Sequence, residues 1–232
     1  MRVAIMQPYF LPYAGYYQLI ASVDQFIIYD NIKYTKKGWI NRNRFLQNGN
    51  DAIFTIPLKN DKDLLNICER EISDDFDKEK LLRSFVGAYR KAVYFEQTIH
   101  LLSQIVHYEE KNLFNFIHHS IEETCRYLGI TTKIIVSSSI EIDHKLQAQE
   151  KVLAMCTALG AKEYINAIGG VDLYSRDCFQ GEGIQLRFIK SRMPDYAQFG
   201  GDFVPSLSII DMMMFNSISA LSNSLKICYE LI

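Results

Sequence analysis

The five cysteines are odd in number and form no Cys-x-x-Cys pair or Cys/His ligand spacing, so neither a disulfide framework nor a zinc site can be read from them. Free thiols in a reducing compartment are expected. Long hydrophobic runs are also missing. None approaches the roughly 20 residues of a membrane span, and the apolar run Val3–Met6 is too short for the core of a signal peptide. These absences predict a soluble, cytoplasmic protein. Charge of one sign is lacking too: a formal charge of −2 gives no global field for nucleic acid, so any anion site must be local. The sequence has no G-x-S-x-G elbow, Walker A loop, G-x-G-x-x-G or H-E-x-x-H. Its paired histidines, His118 and His119, would project about 100° apart on a helix, so no metal site is expected.

What is present is ample apolar material, 48% of 232 residues, with no repeat, linker or low-complexity tract. That predicts a single domain over residues 1–232 with one adequate core. Val3–Met6 and Phe26–Tyr29 read as strands around a helix from about Tyr13 to Ser22, a parallel crossover unit. Asn48-Gly49 between Arg44–Gln47 and Ala52–Pro57 is a strong hairpin signal. From about 77 to 128 the apolar period is helical, with stripes through Leu82, Phe85, Val86 and Tyr89 and through Leu113, Ile117, Ile121, Thr124 and Leu128. Gly129 stops the second stripe.

Strand and helix signals then alternate again: Ile134–Val136, Leu146–Leu159 with Gly160 as its stop, Tyr164–Asn166 and Gln185–Ile189. A last helix is expected from about Ser208. The expected fold class is α/β: a parallel-core sheet with a crossover helix after the first strand, an attached β-hairpin, and a helical insertion in the middle of the chain.

Ligands in open parallel sheets bind beyond the carboxyl ends of strands, and two chemically dense segments follow predicted strands. The first, Gln7-Pro8-Tyr9-Phe10-Leu11-Pro12-Tyr13-Ala14-Gly15-Tyr16-Tyr17, holds a rigid turn and four tyrosines within nine residues. Leucine would fill a core there without needing a hydrogen-bond partner; the alternative is an amphipathic helix whose tyrosines pack on a sheet. The second segment runs from Asp30 through Lys36, the only tryptophan, Trp39, and Asn41-Arg42-Asn43-Arg44. Arg42 and Lys36 suit phosphate or carboxylate, and Trp39 suits stacking; a solvated basic loop is the plainer alternative.

Ser137-Ser138-Ser139, after the next strand, can bind phosphate or cap a helix. Gly169-Gly170, between Tyr164 and Tyr174, allows close backbone approach or a tight turn. Ser208 and Asp211 have capping-box spacing, but Asp211 shares a helical face with Leu207, Ile210 and Met214, where a carboxylate needs a partner or a shifted pKa. His144 lies just beyond the serines and could act as a base. The binding candidates are therefore Gln7, Tyr9, Tyr13, Tyr16, Lys36, Trp39, Asn41, Arg42, Asn43, Ser138, Ser139, Gly169, Tyr174, Gln198 and Ser208. The candidates for orienting or deprotonating a reacting group are Asp30, His144 and Asp211.

In these same blocks the chain resembles the WbqC-like proteins of bacterial polysaccharide clusters along nearly its whole length. The pattern reads Gln7 to Tyr17, Asp30 with Trp39 and Asn41-Arg42-Asn43-Arg44, Pro57, Ser137-Ser138-Ser139, Tyr164 with Gly169-Gly170 and Tyr174, Gln198, and Phe203-Val-Pro-Ser-Leu-Ser-Ile-Ile-Asp211. The resemblance implies a place in O-antigen or related glycan assembly. It also implies an acyl- or aminoacyl-transferase that forms an amide on a nucleotide-linked deoxyamino sugar. The donor stays open between a carrier-protein thioester, a coenzyme A thioester and an acyl-adenylate made from ATP. Two alternatives stand beside it: a non-catalytic nucleotide-sugar binding protein of the same pathway, and a nucleotidyltransferase or ATP-dependent ligase. The last rests on Tyr13-Ala14-Gly15-Tyr16, which has the spacing of a His-x-Gly-His signature with phenols where those enzymes carry imidazoles.

Overall fold

In the computed structural model, which describes residues 1–232, the apolar runs pair into one six-stranded sheet. The chain starts with β1 (Arg2–Met6), α1 (Ala14–Ala21) and β2 (Gln25–Ile28), followed by the hairpin β3 (Arg42–Gln47) and β4 (Asn50–Thr55). Three helices come next, α2 (Lys78–Tyr89), α3 (Phe95–His107) and α4 (Leu113–Tyr127), and then β5 (Lys133–Val136), α5 (Ala148–Ala158) and β6 (Glu163–Ala167). The last part holds α6 (Arg176–Gly181), β7 (Gln185–Ser191), α7 (Ile209–Phe215), α8 (Ile218–Ile227) and β8 (Tyr229–Leu231). Strand order is β5-β2-β1-β6-β7-β8, parallel except for β8, which runs antiparallel to β7.

Strands covered on both faces need apolar residues on both, which is why they read as continuous runs rather than alternations. Ala4, Phe26, Ile28, Ile165 and Ile189 point to one face, into a cluster of 46 buried residues that includes α1, α8 and the three helices α2–α4. Val3, Ile5, Ile27, Tyr164, Leu186 and Phe188 point to the other, into 13 buried residues shared with α5 and α6. The connection β1–α1–β2 moves toward one edge of the sheet, whereas β5–α5–β6 and β6–α6–β7 move toward the other. A single crossover hand therefore requires α1 and the pair α5/α6 on opposite faces, as observed. The direction reverses between β1 and β6, so a crevice opens beyond their carboxyl ends.

Local signals account for the boundaries. Asn48 and Gly49 both have positive φ, 53° and 78°, the backbone a two-residue hairpin turn needs. The hairpin forms its own two-stranded sheet and joins the body through rings: Phe45 and Phe54 pack edge-on against Phe85, and Phe54 against Phe10. Gly129 and Gly160 end α4 and α5 at φ +67° and +68°, with Ile130 N donating to Cys125 O and Ala161 N to Cys156 O. The carboxyl-terminal segment departs from the single helix read in the sequence. Asn216 is extended, and Ser217 caps a new helix by accepting from Ala220 N at 3.2 Å, so α7 and α8 are separate. The three-residue β8 is too short to show a strand period. No helix is long and apolar enough to cross a membrane.

Candidate functional site

A cleft of about 610 Å³ occupies the crevice between the ends of β1 and β6. The segment after β1 contributes Gln7, Tyr9 and Tyr13, the first turn of α1 contributes Gly15 and Tyr16, and Tyr29 comes from just beyond β2. Opposite them stand Ala148, Gln149 and Val152 of α5, Asn166 near the end of β6, and Gly169, Gly170, Leu173 and Tyr174 after it, with Trp39 at the mouth. No Asp, Glu, Lys, Arg or His lines it. Burial raises the pKa of Tyr9, Tyr13, Tyr16 and Tyr174 and pushes Tyr29 up to about 12, so all five phenols are neutral at pH 7. Tyr16 is 2% exposed and donates to Gln7 O at 2.9 Å, which ties the helix to the strand end.

Two glycines are there because rings and amides need their space. A Cβ on Gly15 would stand 2.3 Å from the Tyr13 ring, and one on Gly170 would stand 2.6 Å from Asn166 Nδ2. Ala148 in the cleft wall and Leu11 in the turn after β1 hold left-handed φ of 45° and 46°. Such strain in non-glycine residues concentrates at ligand sites when surrounding bonds over-determine it. Around Leu11 those bonds are plain: Asn43 Nδ2 donates to Leu11 O at 2.8 Å, Ser208 Oγ donates to the same oxygen at 2.6 Å, and Phe10 N donates to Ile40 O. Asn43 and Ser208 therefore lock the turn that aims Tyr9 and Tyr13. Asn41 is buried one layer away, accepting from Tyr34 Oη at 2.8 Å and donating to Ile56 O at 2.7 Å.

Beside the cleft, sharing Tyr9, Tyr13 and Trp39 with it, lies a smaller annex of about 360 Å³ that is also lined by Arg44, Asn43 and Ser206. Alternation along β3 puts Arg42 and Arg44 on one face, both near the Trp39 ring, at 5.5 and 5.6 Å. Arg42 donates to Gly38 O and Lys37 O, bracing the Trp39 loop, and lines neither concavity. Lys36 is exposed, paired with Asp63, and also outside both.

Where β2 and β5 end, Asp30 and Ser137 are buried in a polar cluster whose exposed rim carries Ser138 and His144. Asp30 Oδ1 accepts from Ser137 Oγ at 2.7 Å and from Ser138 N at 2.9 Å. Asn31 Nδ2 donates to His144 Nδ1 at 2.9 Å, which leaves the proton on Nε2 to be donated to Ile140 O. Lys151, only 5% exposed, donates to Asn31 O and Oδ1, and its ammonium lies 5.1 Å from the Tyr29 ring centroid. Burial lowers its pKa, with Asp30 pulling the other way. Ser139 donates only to Val136 O.

Asp211 is fully buried in α7, away from the cleft lining. It accepts from Tyr89 Oη at 2.9 Å, Tyr196 Oη at 2.5 Å and Gln198 Nε2 at 2.7 Å. Burial raises its pKa against those three donors. Gln198 also brackets Val204 through its N–H and carbonyl, so the pair fastens the irregular segment before α7.

Of the sequence candidates, Gln7, Tyr9, Tyr13, Tyr16, Trp39, Gly169 and Tyr174 share the cleft. Tyr29, Gln149 and Asn166 were not singled out from the sequence. Tyr29 directly follows a strand and Asn166 precedes the glycine pair, but only the adjacency of β1 and β6 brings them together.

An open, doubly wound α/β sheet with its main concavity at the reversal of strand order defines the structural class. The chain belongs to the WbqC-like protein family, whose model matches residues 7–223. It is 29% identical, over 99% of both chains, to the uncharacterized protein Rv1507c of Mycobacterium tuberculosis (strain ATCC 25618 / H37Rv). No solved structure matches the chain.

Proposed function

We propose that the protein transfers an acyl or aminoacyl group from a thioester to the amine of a nucleotide-linked deoxyamino sugar held in the cleft. The observation that carries this reading is the cleft's chemistry: aromatic and amide walls without formal charge. A sugar offers an apolar face for tyrosine and tryptophan to cover and hydroxyls for Gln7, Gln149, Asn166 and the phenols to bond. An amine needs its lone pair to attack a carbonyl, and an ammonium has none. Burial in an uncharged site disfavours the charged form, so entering the cleft itself promotes loss of the proton. The lone pair then forms the C–N bond, the C–S bond breaks, and the departing thiolate takes the second amine proton. Positioning and desolvation carry such a step.

A thioester presented on an uncharged pantetheine arm fits better than ATP, because a triphosphate in cleft or annex would face one arginine. The lack of a carboxylate or imidazole in the lining equally favours a second reading, a nucleotide-sugar binding protein without catalysis. Incubation of the purified protein with a nucleotide-linked amino sugar and acyl thioesters of coenzyme A and of a carrier protein separates them. Transfer gives the acyl mass increment on the sugar, and tight sugar binding with no product for any donor would leave the binding reading alone.

A further inference from the structure

Arg44 is the single cation that lines either the cleft or the annex. Its guanidinium has five N–H donors. Nη1 meets Asp51 at 3.2 Å and Nη2 donates to Ser206 O at 3.2 Å, which leaves three donors without a partner. The Asp51 contact is a half-exposed pair on the hairpin, and such pairs contribute little in water and yield to a better anion. The main chain fixes Arg44 firmly, since its carbonyl accepts Ser208 N at 2.8 Å and its own N–H is held by Asn43 Oδ1 at 2.9 Å. Ser206, whose carbonyl orients the fork, holds a left-handed φ of 57°.

From this we infer that the annex is the phosphate subsite of the ligand, with the Arg44 fork bonding phosphate oxygens and Trp39 as the wall shared with the neutral portion in the cleft. The inference rests on the functional reading above and assigns the ligand's polarity: uncharged sugar at the end of β6, diphosphate toward β3. A guanidinium fork matches paired phosphate oxygens, and the cleft offers phosphate no other cation. The two arginines of the motif thereby divide their work, Arg42 bracing the tryptophan loop and Arg44 meeting the ligand.

The test is calorimetric titration of the wild type, Arg44→Gln, Arg44→Lys and Asp51→Asn with two probes: a nucleoside-diphosphate-linked 4-amino-4,6-dideoxyhexose and the same amino sugar as its methyl glycoside, at low and high salt. Arg44→Gln is expected to weaken the nucleotide sugar by about 10- to 100-fold and flatten its salt dependence, without affecting the methyl glycoside. Arg44→Lys should recover part of the loss, and Asp51→Asn should tighten the nucleotide sugar by freeing the fork. Nucleotide-sugar binding by Arg44→Gln equal to wild type, or equal loss of both probes, overturns the phosphate subsite while leaving the functional reading in place. Failure of the wild type to bind either probe overturns that reading and the subsite with it.

Discussion

Replacing Tyr89 with phenylalanine removes one oxygen from the centre of the Asp211 network and leaves the ring in place. The ring is fully buried and packs near Phe45 and Phe215, so its packing is preserved. The hydroxyl has two jobs: it accepts from buried Leu46 N at 2.8 Å and donates to Asp211 Oδ1 at 2.9 Å. Stranding a buried N–H costs about 1–3 kcal/mol, and losing a bond to a carboxylate costs about 1.5–3 kcal/mol. Because both losses fall on one connected network they overlap, and a net destabilisation of about 3 kcal/mol is expected. For a chain of this length each kcal/mol moves Tm by roughly 2–4 °C. The Tm of Tyr89→Phe should therefore fall by roughly 6–12 °C. Circular dichroism melts and urea titrations with an unchanged m-value would measure it. Tyr196→Phe should cost less, because that residue is only partly buried and Asp211 keeps two donors. A folded Tyr89→Phe protein melting within about 2 °C of wild type would refute the view that this hydroxyl closes a buried network. Ligand affinity well below Tm should be unchanged, since Tyr89 lines neither concavity.

Gly15→Ala separates stability from binding. The helix gains about 0.5–1 kcal/mol from the better helix former, while the new methyl displaces the Tyr13 ring. An unchanged or higher Tm with weaker ligand binding is expected, and undiminished binding would show that the ring is not a working wall of the cleft. Asp211 also predicts a pH dependence. Burial raises its folded pKa above the unfolded value near 3.8, so the folded chain holds the proton more tightly. Its contribution therefore turns more favourable as pH falls through the folded pKa. The stability of wild type relative to Asp211→Asn should rise as pH is lowered from 7, and a difference that shrinks instead would contradict the direction of the shift.

The sequence was most readable where the physics is local. Asn48-Gly49, Gly129 and Gly160 each announce a backbone conformation few other residues adopt, and each falls where the pattern put it. The runs Val3–Met6 and Ile134–Val136 announce two-sided burial. The break between α7 and α8 was hidden because a serine cap inside an apolar segment looks like any other serine. In the site, the aromatic side from Gln7 to Tyr16 was legible because it is one continuous segment that directly follows a strand. The opposite wall depends on which strand lies beside β1, a long-range fact with no local mark. Polar residues posed a different problem: Asn43, Ser208 and Gln198 look the same in sequence whether they bind a ligand or the main chain, and here they bind the main chain. Lys36 in a loop and Arg42 at the start of β3 both carry charge, but a formula does not say which way a side chain turns.

Tyr29 works as a dielectric bulkhead. Its ring faces a compartment suited to neutral molecules and also holds the Lys151 ammonium 5.1 Å from its centroid. The lining thus carries no formal charge although an ammonium packs on one of its rings. A small side chain at position 29 removes the ring on which that cation packs, and the uncharged chamber is then expected to gain affinity for anions.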